Sequence, residues 1–222
     1  MQIHTLVILT LLTLPATSYA IEPYTCRNGA FPTYTELNLG EIVAGKGERV
    51  HARDDMDGCP DQKKCIQKGY LINGDKVLTA HPSDGWVCIY YFRKKSEYTG
   101  WIPQKNVRTT PFPKNPELRS WIGHWEADGG TPEITISLAK KNKLKVSGEA
   151  YWQAFVNSLP HIGLVDGVAA PVGNKLTVKE EGDESIGCVV NFELIGPYLV
   201  ANDNRLCGGA NVSFDAIYRR KP

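Results

Sequence analysis

Apolar and polar residues alternate near the end of the chain, where every second position is apolar in 188–194 and again in 212–218. This two-residue period predicts strands with one buried face. A further short strand begins at Tyr198, after a Gly-Pro pair at 196–197, and the polar residues 202–204 form a turn behind it. We therefore expect an antiparallel meander at this end of the chain.

The same alternation continues through the second half of the chain. The second half opens with a strand at 121–125, and apolar residues then recur with a period of two in 134–138, 144–146 and 176–178. Short polar or glycine-containing segments separate these runs, and no long segment shows the 3.6-residue period of a helix. About eight short strands joined by tight turns predict an antiparallel up-and-down β-barrel. The expected fold class is all-β.

A proline-rich segment divides the chain. Pro111, Pro113 and Pro116 lie close together, and proline both lacks a backbone donor and restricts the residue before it. We interpret 111–116 as a linker between one domain at 21–110 and a second at 117–222. Because such a segment cannot serve as a central strand, we expect the two domains to fold separately.

The first residues are typical of a secretory signal peptide. The apolar run 6–14 is too short to span a bilayer, which takes about 20 residues, and the small residues Ser18 and Ala20 precede the expected cleavage point. A signal peptide at 1–20 predicts a periplasmic or secreted protein. No later segment is long and apolar enough for a membrane helix, so we expect no membrane span.

The balance of charge excludes one class of partner. The chain has 25 Lys and Arg residues against 24 Asp and Glu residues, for a formal net charge of +1. Proteins that bind nucleic acid carry a basic face, and this composition gives no reason to expect one. We therefore expect no nucleic-acid partner.

All 6 cysteines follow the predicted signal peptide. An even number of cysteines in an oxidising compartment favours disulfides over metal sites or nucleophiles. The sequence alone does not select one pairing. Our order of preference is Cys188–Cys207 across the terminal meander, then Cys59–Cys65, with Cys26–Cys88 following by elimination.

Motifs for catalysis are missing from the sequence. The histidines after the signal peptide are His51, His81, His124 and His161, and none is spaced as in a local metal-binding pair. No G-x-S-x-G motif and no glycine-rich phosphate loop occurs. His124 and His161 could meet across a barrel mouth, but we favour polar positions at strand ends. We expect a protein that is not an enzyme and uses no cofactor or metal.

The first domain resembles the bacterial SH3-like domain. The resemblance covers about 41–108 and rests on a Gly-Trp-Val strand at 85–87, a Thr-Gly-Trp-Ile-Pro strand at 99–103, and an earlier alternating strand that ends at Arg53. It implies a small β-barrel. The loop between Cys59 and Cys65, and a cysteine inside the Gly-Trp-Val strand, indicate a variant reinforced by disulfides.

The second domain resembles the calycin barrels, which include the lipocalins and avidins. A Gly-x-Trp motif at 123–125 on the first strand, with Arg219 or Arg220 on the last, carries the resemblance. In such barrels a cation over an indole face seals one end, a contact worth on the order of 1 kcal/mol. The resemblance implies an up-and-down barrel that binds a ligand or a protein.

An SH3-like barrel is too small to enclose a ligand, so we expect recognition on its surface. Aromatic rings offer flat apolar contact, and carboxylates attract the ammonium groups of a cell-wall stem peptide. The predicted ligand-binding residues are Tyr90, Tyr91, Trp101, Asp54, Asp55 and Asp57.

These features indicate an exported, non-enzymatic binding protein for a cell-wall peptide or glycan, or for a protein partner. The alternative is a proteinaceous inhibitor of a cell-wall hydrolase such as lysozyme, a role that small exported β proteins locked by disulfides suit.

Overall fold

The structure is a computed structural model that describes residues 25–27, 29–33, 36–93, 97–180 and 187–221. The predicted signal peptide lies outside these residues. The strands in chain order are β1 Asn38–Ile42, β2 Lys76–Ser83, β3 Trp86–Phe92, β4 Glu97–Pro103, β5 Val107–Thr110, β6 Gly123–Ala127, β7 Glu133–Ala139, β8 Lys143–Trp152, β9 His161–Ala169, β10 Lys175–Lys179, β11 Val189–Ile195, β12 Tyr198–Asp203 and β13 Ala216–Arg220. Short 3-10 helices cover Phe31–Thr33, Lys63–Cys65, Gln104–Asn106, Leu118–Ser120 and Asp128–Gly130.

The predicted all-β class is confirmed, and the strands form two sheets. The first is a five-stranded antiparallel sheet in the order β4-β3-β2-β1-β5. The second has eight antiparallel strands in the order β10-β11-β12-β13-β6-β7-β8-β9 and forms a nearly closed barrel. The edge strands β9 and β10 lie against each other, which brings the sheet close to closure. Within the described part of the chain, no helix is long and apolar enough to cross a membrane.

Alternation along the barrel strands places one face in a single core. In β11, Val190, Phe192 and Leu194 are buried, as the period of two predicts. The largest buried side chains of this core are Trp121 and Trp125. The barrel interior is thus packed with side chains.

One end of the barrel carries the expected contact between a cation and an indole. The guanidinium carbon of Arg220 lies 4.8 Å from the centroid of the Trp125 ring. Gly123 has a φ of 151°, and a Cβ there would lie 3.1 Å from the Arg220 side chain, so this close approach favours glycine. Arg219 points to the five-stranded sheet and lies over the ring of Phe92. Membership of the calycins stays a prediction.

The loop between β12 and β13 closes the opposite end of the barrel. Val212 and Phe214 are buried in this loop, although the last strand begins only at Ala216. The prediction of one strand over 212–218 is therefore wrong in its first half. The backbone leaves the sheet there because the Asp203 carboxylate accepts a hydrogen bond from the amide of Phe214.

A second predicted strand is also absent. Residues 48–53 contribute only isolated bridges, one between Val50 and Leu71 and two from Arg53 to Ile66 and Trp101. The alternation that predicted a strand at this place instead buries Val50 in the core of the first sheet, beside Ile42 and Val77. The first sheet gains β1 and β5 in its place.

Three disulfides join the pairs that the sequence favoured: Cys26–Cys88, Cys59–Cys65 and Cys188–Cys207. The first ties the N-terminal segment to β3, and the second closes a short loop. The third links the approach to β11 with the loop that covers the barrel end.

The two sheets share a hydrophobic cluster. Ile195, Val200 and Ile217 of the barrel pack with Leu78 and Tyr90 of the five-stranded sheet. The Tyr198 hydroxyl donates a hydrogen bond to the carbonyl of Lys76, at 3.0 Å, across the same boundary. The division into two domains at 111–116 stays a prediction, but the proposed domains bury apolar surface against each other.

Candidate functional site

Two of the predicted aromatic ligand-binding residues are buried. Tyr90 is 2% exposed and Trp101 is 6% exposed, so neither ring offers a face to a ligand. Phe31 packs on Tyr90 with ring centroids 5.6 Å apart. Tyr91 is half-buried, and its hydroxyl lies 3.3 Å from a carboxylate oxygen of Asp75. The predicted exposed aromatic face is therefore wrong.

The physical reason lies in β3, which is buried on both faces. Val87 and Ile89 enter the core of the small sheet, whereas Cys88 and Tyr90 enter the cluster shared with the barrel. The Cys26–Cys88 bond draws the N-terminal segment over this second face. Alternate side chains in the middle of β3 therefore enter two different cores. In a half-exposed strand, one of the two faces would meet solvent instead.

The predicted acidic residues do lie together. Asp54, Asp55 and Asp57 line an open cleft of about 970 Å³ beside Arg27 and Lys64. Acidic and basic side chains both line this cleft, so it has no uniform negative charge.

The carboxylate of Asp55 is engaged by other residues of the protein and stabilises the fold. Its carboxylate accepts hydrogen bonds from the indole Nε1 of Trp101 at 3.1 Å and from the amide of Cys26 at 2.9 Å. It also pairs with Arg27. Asp55 thereby holds the acidic loop, the N-terminal segment and β4 together.

A smaller neighbouring cleft carries carboxylates beside the half-buried indole of Trp86, and no Lys or Arg lines it. This acidic cleft has a volume of about 370 Å³. The residues that line it are Asp55, Cys59, Pro60, Asp61, Ser83, Asp84, Trp86 and Trp101. Negative charge beside an aromatic ring is the environment that an organic cation prefers.

Local structure positions each group of the acidic cleft. Asp84 and Gly85 form the two-residue turn between β2 and β3, with φ values of 47° and 81°, as an Asp-Gly hairpin requires. Trp86 follows at the start of β3, and its Nε1 donates to Asp61 at 3.2 Å. The Cys59–Cys65 bond closes the loop that carries Asp61.

Trp86 already engages a cation of the chain itself. The guanidinium carbon of Arg53 lies 5.4 Å from the centroid of the Trp86 ring. The same guanidinium donates to the carbonyls of Pro60 and Gln62. Arg53 therefore orients the indole and braces the loop of Asp61.

Asp61, Asp84 and Trp86 are not among the ligand residues predicted from the sequence. An Asp-Gly pair directly before a tryptophan is a signal for a hairpin that presents an acid beside an indole. The position of Asp61 follows only from the disulfide loop, so its approach to Trp86 needed the structure.

Glu97 lies at the open cleft and has a perturbed carboxyl group. Burial raises its pKa above the ordinary value, and the negative charge of Asp128 on the barrel adds to that rise. A hydrogen bond with the Tyr90 hydroxyl acts in the opposite direction. The charged form of Glu97 therefore costs free energy in the folded protein.

We expect Glu97→Gln to stabilise the protein at neutral pH and to lose that advantage in acid. A raised carboxyl pKa means that wild-type stability increases as the pH falls from above the folded-state pKa towards the ordinary value of 4.5. Glutamine removes this slope because it carries no charge. Urea denaturation across this pH range measures the effect, with the exposed Glu149→Gln as the control for loss of one charge. A glutamine variant less stable than wild type at neutral pH would contradict the assignment.

The histidines have separate local partners. His124 on β6 lies 3.1 Å from Glu133, whereas His161 on β9 lies 2.7 Å from the carbonyl of Ala210. They do not form a pair across a barrel mouth. Among the described residues, no group of three or more His, Cys, Asp or Glu side chains could hold a metal ion.

Comparison with models of protein families, with curated proteins and with solved structures found no match for this chain. The function proposed below therefore rests on the geometry of the molecule.

Proposed function

We propose that this chain is an exported, non-enzymatic binding protein that recognises a peptide carrying an ammonium group, such as the stem peptide of a cell wall. The observation that carries this proposal is the acidic cleft, where Asp61 and Asp84 flank the indole of Trp86. Three disulfides are typical of proteins from oxidising compartments and agree with export.

The charge of the acidic cleft supports a cationic ligand. Asp61 and Asp84 are exposed, whereas Asp55 is half-buried and is partly neutralised by Arg27. An ammonium group between the first two carboxylates gains attraction from both and can contact the exposed part of the Trp86 ring, while the Arg53 guanidinium beside that ring reduces the net attraction. Because these groups face water, each carboxylate contributes modestly to affinity.

The size of the acidic cleft supports recognition of part of a ligand. A volume of about 370 Å³ lies near the lower limit for small-molecule sites, roughly 300–1,000 Å³. It suits one side chain or terminal amine of a longer peptide. The rest of the peptide would lie along the surface beside the turn of Asp84.

Calorimetric titration of the full chain with a soluble muropeptide that has a free amine tests this function. We expect Asp61→Asn and Asp84→Asn each to weaken binding about two- to fivefold, and Trp86→Leu about tenfold. Asp166→Asn on the barrel, which removes an exposed carboxylate paired with Lys145, is the matched control. Equal affinity for all four variants and wild type, or no binding by wild type, would overturn the proposal.

The alternative function, inhibition of a cell-wall hydrolase such as lysozyme, is separated by a second assay. A wall-binding protein sediments with purified peptidoglycan and leaves the hydrolase active. An inhibitor stays in solution and blocks hydrolysis in proportion to its concentration.

A further inference from the structure

The hairpin between β8 and β9 exposes an unusual set of apolar side chains. Phe155, Val156 and Leu159 are 77%, 92% and 90% exposed, respectively. Tyr151, Trp152 and Ile162 stand behind them and are also exposed. We call these six residues the apolar tip. Exposed apolar groups of this kind mark interaction surfaces in folded proteins.

The apolar tip and its flanks carry no formal charge. From Ala150 to Val165 the sequence contains no Asp, Glu, Lys or Arg. From the tip towards the barrel, the first charged side chains are Glu149 on β8 and Asp166 on β9. An apolar, uncharged surface can enter hydrocarbon without burying a charge.

Side chains of the hairpin bond to several of its own backbone polar groups. The Gln153 amide donates to the carbonyls of Val156 and Ser158, at 3.2 and 2.6 Å. The Ser158 hydroxyl donates to the carbonyl of Phe155 and accepts from its amide. Internal satisfaction of backbone groups is what a segment needs if it is to leave water for a lipid environment.

The base of the hairpin is anchored to the disulfide loop at the barrel end. The amide of Leu164 donates to the carbonyl of Cys207 at 3.1 Å, and Gly163 forms a bridge with Gly208. A Cβ at Gly163 would lie 2.4 Å from the Cys207 carbonyl oxygen, so only glycine permits this approach. The base of the hairpin is therefore bonded to the barrel, and the apolar tip projects from this base.

The order of residue types along the hairpin fits a membrane interface. Phe, Val and Leu occupy the outermost positions, whereas Tyr151 and Trp152 lie closer to the barrel. Trp and Tyr are enriched at the level of lipid headgroups, where one part of the ring is apolar and the other is wet. The His161 ring packs on Trp152, with centroids 5.6 Å apart, and supports the indole.

The chemistry of the apolar tip favours a bilayer over a folded partner. Its outermost side chains, Phe155, Val156 and Leu159, carry no polar group that a protein partner could pair with. Lipids can surround a small convex projection, and the apolar side chains need no hydrogen-bonding partner in hydrocarbon.

We propose that the apolar tip inserts into the interface of a phospholipid bilayer and holds the barrel at the membrane surface. The ligand is a zwitterionic bilayer, because the tip has no cationic side chain to select anionic headgroups. This site is independent of the acidic cleft and uses none of its residues.

Flotation of the full chain with phosphatidylcholine vesicles tests the proposal. We expect wild type to float with the vesicles at both low and high salt, because the contact is apolar. The double variant Phe155→Asp/Leu159→Asp is expected to lower the vesicle-bound fraction at least about tenfold. These positions are exposed, and an unchanged melting temperature verifies that the variant folds.

Val172→Asp is the matched control, because this 83% exposed apolar side chain lies in the turn between β9 and β10 at the opposite end of the barrel. It should float like wild type. No flotation of wild type, or equal loss in the control, would overturn the proposal. So would a stoichiometric complex with a purified cell-wall hydrolase that the tip variant abolishes while vesicles remain unbound, since that result assigns the tip to a protein partner.

Discussion

Replacing Cys26 and Cys88 together by serine is expected to lower the free energy of unfolding by about 4 kcal/mol. The bond closes a loop with a sequence separation of 62, and chain-entropy stabilisation grows with the length of the closed loop. It also holds the N-terminal segment so that Phe31 packs on the ring of Tyr90 and is buried there. Urea denaturation of the double variant measures the loss.

The matched control for this prediction is the double serine variant of Cys59 and Cys65. That pair has a sequence separation of 6, so its loss should cost about 2 kcal/mol less in the same model. A larger loss from the short loop than from the long one would contradict the structural role given to the Cys26–Cys88 bond.

Ile217→Ala is expected to destabilise both sheets by about 3 kcal/mol, because it opens a cavity in their shared cluster. Ile217 is 2% exposed on β13 of the barrel, yet it packs in the cluster that contains Leu78 and Tyr90 of the five-stranded sheet. Hydrogen exchange of amides in β3 and β11 reports on the two sheets separately. Both sets should exchange faster.

Ile136→Ala provides the comparison, since Ile136 is equally buried but lies in the barrel core. It should accelerate exchange in β11 more than in β3. If Ile217→Ala changes only the barrel amides, the two halves are independent units and the shared cluster does not couple them.

Much of the barrel could be predicted from the sequence. The terminal meander alternates cleanly, because Asn191 and Glu193 face outwards while Val190, Phe192 and Leu194 face the core. The five-stranded sheet is different. In β3 the run from Val87 to Phe92 is apolar or aromatic throughout, the pattern of a strand buried on both faces. The residues that bury the second face of β3 belong to the barrel, and no local sequence pattern identifies them.

The candidate sites were less predictable than the fold. Asp54, Asp55 and Asp57 do share a cleft, but Asp55 is engaged by Trp101 and Cys26, which are distant in sequence. The partnership of Trp86 with Asp61 likewise depends on tertiary structure. The apolar tip had a usable local signal: an uncharged run with turn residues between two strands.

The most direct test of the proposed function is the Trp86 indole N–H resonance in a proton–nitrogen correlation spectrum of the full chain. Addition of a muropeptide with a free amine should shift this resonance, while that of Trp125, buried in the barrel core, stays in place. The same peptide with its amine acetylated should shift neither. A Trp86 resonance that does not respond, or that responds equally to both peptides, would contradict recognition of an ammonium group at the acidic cleft.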